Sequence, residues 1–425
     1  MGCFQLRQNA WFADELTTFD LPDNWEINVL GDLNLPALTR SELAGKIRLP
    51  LAARSIADLA ADRKSAALII DDFSRPTPTG DLLPVVLEEL NSGGISSSNV
   101  VVVVACGTHP APDQRELLYK LGQDLPADVR VVSHDARNHC DFLGYTSRKT
   151  PVYINHEVLN RDLKISIGSV YPHPAAGFSG GGKLIALGTA GEETIRIMHD
   201  YRAGYSKRSG NIDITFRKEI NEISMMAGLD FSINVLLNQD RKVTNLFCGN
   251  SVTAFEKAVN LANQNYRVEL PPEADLVISD MYPFDTDFQF AFDRGMWPLE
   301  KYPKNTIKVV LAYSTKGIGG HKLFPVANPI RARVSRRIKN FTLRDLLKLP
   351  ARAIKMIQMV IKRDDTVYVV SSGIKQADLA RVMPKAVVFT EFSELVNHLT
   401  DRELLSVNRN EKVVCVRTAP MLAER

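Results

Sequence analysis

The chain has 425 residues and a mass of 47.3 kDa, which at about 100–200 residues per domain suggests two or three domains with cores large enough to need no staples. Its 45% hydrophobic and 24% charged content is that of an ordinary soluble globular protein and excludes disorder, collagen and coiled coil. Lys and Arg number 52 against 49 Asp and Glu, a formal charge of +3, too balanced to make nucleic acid the expected partner.

The N-terminus carries no basic segment followed by an apolar run, so no signal peptide is expected. Met1-Gly2 is followed at the sixth position by Leu6, where N-myristoylation wants Ser or Thr. Short apolar runs then recur at 66–70, 100–105, 129–132, 163–167, 276–279, 307–312, 367–370, 386–389 and 413–416. Such continuous Val/Ile runs predict strands buried on both faces, as in parallel sheets. Helical patterns at 81–90 and 255–265 lie between them. The fold class expected is therefore α/β: two α/β domains with largely parallel sheets and the active site in the cleft between them. The boundary falls at Leu270-Pro271-Pro272, giving an N-terminal domain over 1–270 and a C-terminal domain over 271–410, with the last strand, about 411–425, expected to return to the first domain. The segment 332–363 is strongly basic and reads as a solvated helical face, or alternatively as a lid facing an anionic ligand. No apolar stretch reaches about 18 residues, so no membrane span is expected. Cys3, Cys106, Cys140, Cys248 and Cys415 lie far apart with no CxxC, which fits a cytoplasmic location.

In open α/β sheets ligands bind beyond the carboxyl ends of strands, so the loops after the apolar runs matter most. The first is Asp71-Asp72-Phe73-Ser74-Arg75-Pro76-Thr77-Pro78, in which Arg75 offers a rigid fork for a carboxylate or phosphate; a structural Asp–Arg pair capping the next helix is the alternative. The second, Cys106-Gly107-Thr108-His109-Pro110, places a histidine where proton transfer near neutrality is feasible. The densest segment runs from Gly168 through Tyr171-Pro172-His173 and Ser179-Gly180-Gly181-Gly182-Lys183 to Glu193-Thr194 and Met198-His199. Its glycines allow backbone N–H groups to approach an anion closely. Leu184 stands where a P-loop needs Ser or Thr for magnesium, no dinucleotide fingerprint opens the chain, and no Cys or carboxylate completes a zinc set with these histidines.

These motifs resemble the nickel-dependent lactate racemase family: D-x-[ST]-R-P-x-P at 72–78, G-T-H at 107–109, P-H-x-x-A-G-F-S-G-G-x-K at 172–183 and E-T-I-x-x-x-H at 193–199. Looser similarity runs on through Gly210-Asn211, Asn234-Val235 and Pro283-x-Asp285 to Lys316-Gly317-Ile318-Gly319. The resemblance implies a cytoplasmic enzyme that inverts C2 of a 2-hydroxy acid by reversible hydride transfer to a nickel-pincer nucleotide (nickel pyridinium-3,5-bisthiocarboxylic acid mononucleotide). It also implies a reliance on cofactor-synthesis enzymes. In that reading Lys183 tethers the cofactor, His199 ligates nickel, and Asp72, Ser179, Gly180, Gly181 and Gly182 hold the nucleotide. His109 and His173 form the acid/base pair and Arg75 binds the carboxylate or the ketone oxygen.

Departures from the family pattern concern the substrate. Pro110 follows the loop histidine where Arg is common, and the Gln and Lys expected after Pro283 meet Phe290 and Asp293 in direct register, with Gln289 and Arg294 one position away. No Trp occurs after Trp297. A substrate other than lactate is therefore expected, with Gln289 and Arg294 as candidate contacts. Two other classes stay open from sequence: a cofactor carrier without turnover, against which the retention of both His109 and His173 speaks, and a nucleotide-dependent transferase, which Leu184 makes awkward.

Overall fold

The computed structural model describes residues 2–200, 203–206, 208–319, 366–381 and 383–425; the basic segment 332–363 lies outside them. The chain divides into two compact units, a larger one of Gly31–Glu269 with Met421–Arg425 and a smaller one of Met1–Leu30 with Leu270–Pro420.

The larger unit is built on a six-stranded sheet in the order Val243–Gly249, Phe231–Leu237, Leu163–Ser169, Ala66–Asp71, Val100–Ala105, Arg130–Ser133. All neighbours are parallel except the antiparallel edge pair of Phe231–Leu237 with Val243–Gly249. Ala66–Asp71 and Val100–Ala105 are buried at every position, as their uninterrupted apolar sequences require of strands covered on both faces. The helix Thr79–Ser92 buries Leu82, Leu83, Val85, Val86, Leu87 and Leu90, and Thr253–Asn265 buries Phe255, Ala258, Val259 and Ala262. Because Ala66–Asp71, Val100–Ala105 and Leu163–Ser169 run parallel, the loops that follow them leave from one edge of the sheet. That edge is where an open α/β sheet holds its ligands.

The smaller unit has a wholly parallel sheet in the order Val387–Phe389, Tyr368–Val370, Ile307–Leu311, Leu276–Asp280, Lys412–Val416, Glu26–Leu30. An antiparallel hairpin, Gly2–Gln8 with Glu15–Leu21, packs Phe4, Leu6, Phe19 and Leu21 into the same core as Leu276, Ile278, Leu395, Leu399 and Val413. Phe4 and Phe19 stack at 5.2 Å, and Phe392 meets Phe4 edge-on at 5.8 Å and Phe19 at 5.2 Å. The structure corrects two expectations from sequence. Residues 1–30 belong to the smaller unit and not to the N-terminal one, because Glu26–Leu30 pairs with Lys412–Val416. The last long strand likewise stays in the smaller sheet, and of the chain end only Ala423–Glu424 reaches the larger unit, beside Arg267–Val268.

The first turn of the hairpin is fastened by two buried carboxylates. Asp285 accepts the N–H groups of Asn9 at 2.7 Å and Ala10 at 3.1 Å, and Asp280 accepts Gln8 Nε2 at 3.0 Å and the N–H groups of Tyr282 and Thr418. Burial pushes Asp280 up to about 7 and Asp285 up to about 6, against the pull of those donors, and the Asp285 charge raises Asp280 further. Between the ordinary carboxylate value of 3.8 and about 7, the folded unit keeps protons that the unfolded chain has released. For these groups, stability is therefore greatest at the acid end of that window and falls as pH rises through it. Unfolding midpoints followed from about pH 4 to about pH 7 should show a decline that Asp280→Asn flattens; an equal slope in the variant would contradict the assignment.

Candidate active site

The strand Ala66–Asp71 runs out into two adjacent carboxylates with different partners. Asp71 Oδ1 accepts Lys120 Nζ at 2.5 Å, and its Oδ2 meets the Thr77 hydroxyl. Thr77 Oγ1 lies 2.8 Å from Ser169 Oγ and accepts the Ser169 N–H at 3.0 Å. Lys120, fully buried on the helix Gln114–Leu121, also donates to the carbonyls of Arg75 and Thr77 at 3.1 Å each. Burial lowers the Lys120 pKa, and the Asp71 charge opposes that shift. One ammonium thus fixes the backbone on both sides of Pro76.

Asp72 turns to the other loop. Its Oδ2 lies 2.5 Å from His109 Nδ1, and its Oδ1 accepts the Ser74 N–H at 2.8 Å and the Ser74 hydroxyl. Burial works against the Asp72 charge, but His109, Arg75 and Ser74 together hold the carboxyl well below its usual range. Burial also works against the Arg75 charge, which the Tyr171 hydroxyl and the two carboxylates, Asp72 and Asp71, more than restore. His109, Asp72, Arg75 and Tyr171 therefore form one chain of contacts, and Tyr171 stands two residues before His173. A carboxylate on Nδ1 makes that nitrogen the protonated one and puts the His109 lone pair on Nε2.

His173 is held the opposite way. It sits in a short hairpin, Pro172–His173 with Gly177–Phe178, and its Nδ1 accepts the N–H groups of Ala175 and Ala176 at 3.2 Å each. Backbone amides only donate, so His173 carries its proton on Nε2. The hairpin continues into Ser179, whose hydroxyl donates to the Ser169 carbonyl at 2.7 Å and accepts the Tyr171 N–H at 3.0 Å.

The glycines that follow answer first to packing. A Cβ on Gly180 would lie 2.8 Å from Val170, on Gly181 2.8 Å from the Phe255 ring, and on Gly182 2.5 Å from Ser224 Oγ; Gly180 and Gly181 also have φ of +78° and +58°. No side chain fits there, and the Gly181 N–H donates to Asn234 Oδ1 at 2.9 Å. Lys183 then opens the short helix Lys183–Ala186, half-buried. His199 ends the helix Glu192–His199. Its Nδ1–H donates to the Ile195 carbonyl at 2.8 Å, and its ring meets Phe216 edge-on at 5.7 Å. The next residue, Arg217, holds the loop before Lys183 through the carbonyls of Ala176, Phe178 and Gly180, so the helix Thr215–Met226 touches both the His199 ring and the Gly-rich segment.

All of these residues lie in the larger unit. Gln289 and Arg294 lie in the smaller one, on the helix Phe288–Gly295. The Arg294 guanidinium covers the rings of Phe284 at 5.7 Å and Phe290 at 5.2 Å. Of the two positions in direct register, Phe290 is buried and Asp293 is exposed.

Sequence alone does not single out Lys120 or Arg217, which sit in stretches with no local motif and reach the site only through the fold. Thr77 stands at an unspecified position of the 72–78 motif and Asn234 in the looser similarity, and sequence gives neither of them a partner. Among the described residues no three His, Cys, Asp or Glu side chains are placed to hold a metal by themselves, and no helix is long and apolar enough to cross a membrane.

The chain is similar to known proteins. The lactate racemase N-terminal domain matches residues 12–210. The lactate racemase of Thermoanaerobacterium thermosaccharolyticum is 28% identical over 72% of this chain and 74% of its own length, and that of Lactiplantibacillus plantarum is 27% identical over 66% and 68%. The lactate racemase apoprotein structure from T. thermosaccharolyticum superposes over 100% of both chains with a TM-score of 0.75 at 22% identity. A crystal structure of a Thermotoga maritima protein does so over 92% of this chain and 98% of its own, with a TM-score of 0.64 at 17% identity. These likenesses establish the two-unit α/β fold.

Lys120→Met would leave the Asp71 carboxylate buried without its cation, and losing one partner of such a pair costs about 3–5 kcal/mol. Denaturant unfolding should register a loss of that size; a loss below about 1 kcal/mol would mean that Lys120 does not secure the 71–77 loop.

Proposed function

We propose that the chain is an isomerase of the lactate racemase family, a reading supported by its likeness to that family's N-terminal domain and to two lactate racemases, and that it inverts C2 of a 2-hydroxy acid at a Lys183-tethered nickel-pincer nucleotide, between His109 and His173. The observation that carries this reading is the pair of opposed histidine tautomers. His109, backed by Asp72, offers a lone pair at Nε2, and His173, with two amides on Nδ1, offers a proton at Nε2. Inversion through a planar ketone needs one group to take the hydroxyl proton of one enantiomer and another to return a proton to the oxygen of the other.

The residues fit the cofactor. A hydrogen bond from Nδ1 to the Ile195 carbonyl puts the His199 lone pair on Nε2, the form in which imidazole ligates a metal, with the carbonyl behind it orienting the ring. Lys183 follows three glycines packed too closely for side chains, so the amine leaves a tightly fixed backbone. When bound, the nucleotide supplies a reversible acceptor for the hydrogen and electron pair leaving C2. The protein does the rest. His109 removes the hydroxyl proton, with Asp72 balancing the imidazolium that forms. His173 delivers a proton to the oxygen in the inverting direction. Arg75, held in place by Asp72, Asp71 and Tyr171, grips the carboxylate or the ketone oxygen.

The substrate differs from lactate in this reading. The position where a lysine is expected is an exposed Asp293, and the nearest cation, Arg294, lies over Phe284 and Phe290. A larger 2-hydroxy acid or sugar acid fits that change, with Gln289 and Arg294 as its contacts.

Protein coexpressed with cofactor-making enzymes should carry about one nickel and a mass adduct on Lys183, and should interconvert C2 epimers of a 2-hydroxy acid on chiral chromatography. Replacing His109 or His173 by Gln should keep the adduct and lower kcat by about 10²-fold or more. Unmodified, metal-free protein from that host would overturn the proposal, and full turnover without either histidine would overturn their roles.

A further inference from the structure

Arg217 is among the largest fully buried side chains, 2% exposed. Burial alone pushes its pKa down, to about 9, so it remains charged at neutral pH. Its described partners are three carbonyls and a ring. Nε and Nη2 both donate to the Ala176 carbonyl at 3.1 and 2.9 Å, Nη2 also to Phe178, and Nη1 reaches Gly180 at 3.5 Å, while the guanidinium lies 4.4 Å from the Phe255 ring centre. A guanidinium is a planar donor with no lone pair, so it can grip carbonyls but accept nothing from them. Covering a buried charge with neutral dipoles is costly unless their arrangement is fixed.

The doubly held residue is Ala176, whose own N–H is one of the two donors on His173 Nδ1. Its neighbour Gly177 is pinned as well: φ is +76° and a Cβ would lie 2.0 Å from the Asn211 carbonyl. The C=O and N–H of Ala176 belong to the peptide planes on either side of its Cα, so Arg217, by holding the 176–177 plane, fixes the position of the Cα from which the N–H reaches His173.

We propose that Arg217 is a positioning residue that locks His173 in its Nε2–H tautomer through Ala176, so that the histidine stands ready as a proton donor. The consequence for catalysis rests on the role of His173 in the proposed function, but the lock itself is read without turnover. Removing the guanidinium frees the 176–177 peptide, the Ala176 Cα shifts and carries its N–H off Nδ1, and the imidazole proton redistributes between its two nitrogens.

The test uses full-length protein labelled with ¹⁵N-histidine, with His173→Gln identifying the resonance. Wild-type His173 should show an unprotonated Nδ1 and a protonated Nε2. In Arg217→Met both nitrogens should move toward averaged positions. Arg217→Lys, whose single ammonium cannot grip Ala176 with two donors, should show a smaller shift in the same sense and serves if the Met variant fails to fold. In cofactor-loaded enzyme the Lys variant should lose about tenfold in kcat with KM retained. A folded Arg217 variant with unchanged His173 resonances would overturn the lock and leave the function of the site untouched, whereas a wild-type His173 protonated on Nδ1 would overturn both the lock and the opposed tautomers on which the proposed function rests. A preserved lock with no C2 inversion would instead count against the function.

Discussion

The site depends on how two adjacent buried carboxylates are neutralised. Asp71 and Asp72 stand side by side at the end of one strand, and because their side chains face different ways each contacts a partner of its own. Asp71 takes Lys120 from a helix that precedes the third strand, and Asp72 takes His109 from the second loop. Arg75 stands near both, and Tyr171 of the third loop joins it. A buried charge without a partner costs several kcal/mol, so the fold is stable only when these loops meet. The imidazole of His109 and the guanidinium of Arg75 are the groups that satisfy this electrostatic demand.

The second histidine is arranged by different physics. His109 is tuned by charge, whereas His173 is tuned by the direction of two backbone amides. One device stabilises an imidazolium and the other fixes a tautomer without adding charge. In the proposed function a site that treats mirror-image substrates is thus asymmetric in its proton inventory, and the Arg217 lock we propose keeps it so.

Much of the larger unit is legible in the sequence because its strands are continuous Val/Ile runs, and 66–70, 100–105 and 163–167 all lie in the parallel sheet. The antiparallel edge strand Val243–Gly249 and the hairpin Cys140–Tyr145 with Pro151–Asn155 are not, since their sequences mix polar and apolar residues without a clean period. Glu26–Leu30 carries too little apolar pattern to reveal that it edges the other sheet, and this is why sequence alone assigns residues 1–30 to the wrong unit. The loop residues Asp72, Arg75, His109, His173, Lys183 and His199 are legible because they stand in dense motifs. What each one touches is not. Asp72 reads as a cofactor contact but commits its carboxylate to His109 and Ser74, and the glycines at 180–182 read as an anion cradle yet are first required by Val170, Phe255 and Ser224. Pairings of this kind join residues far apart in the chain, and only three-dimensional packing fixes them.

The most direct measurement follows the hydrogen at C2. Cofactor-loaded enzyme is given a single enantiomer of a 2-hydroxy acid deuterated at C2, in ordinary water, and the inverted product is analysed by mass spectrometry. If the histidines handle only the hydroxyl proton, the inverted product should keep its deuterium at C2. Replacement of that deuterium by solvent hydrogen would mean that a side chain removes the C2 hydrogen as a proton, and would contradict inversion by hydride transfer.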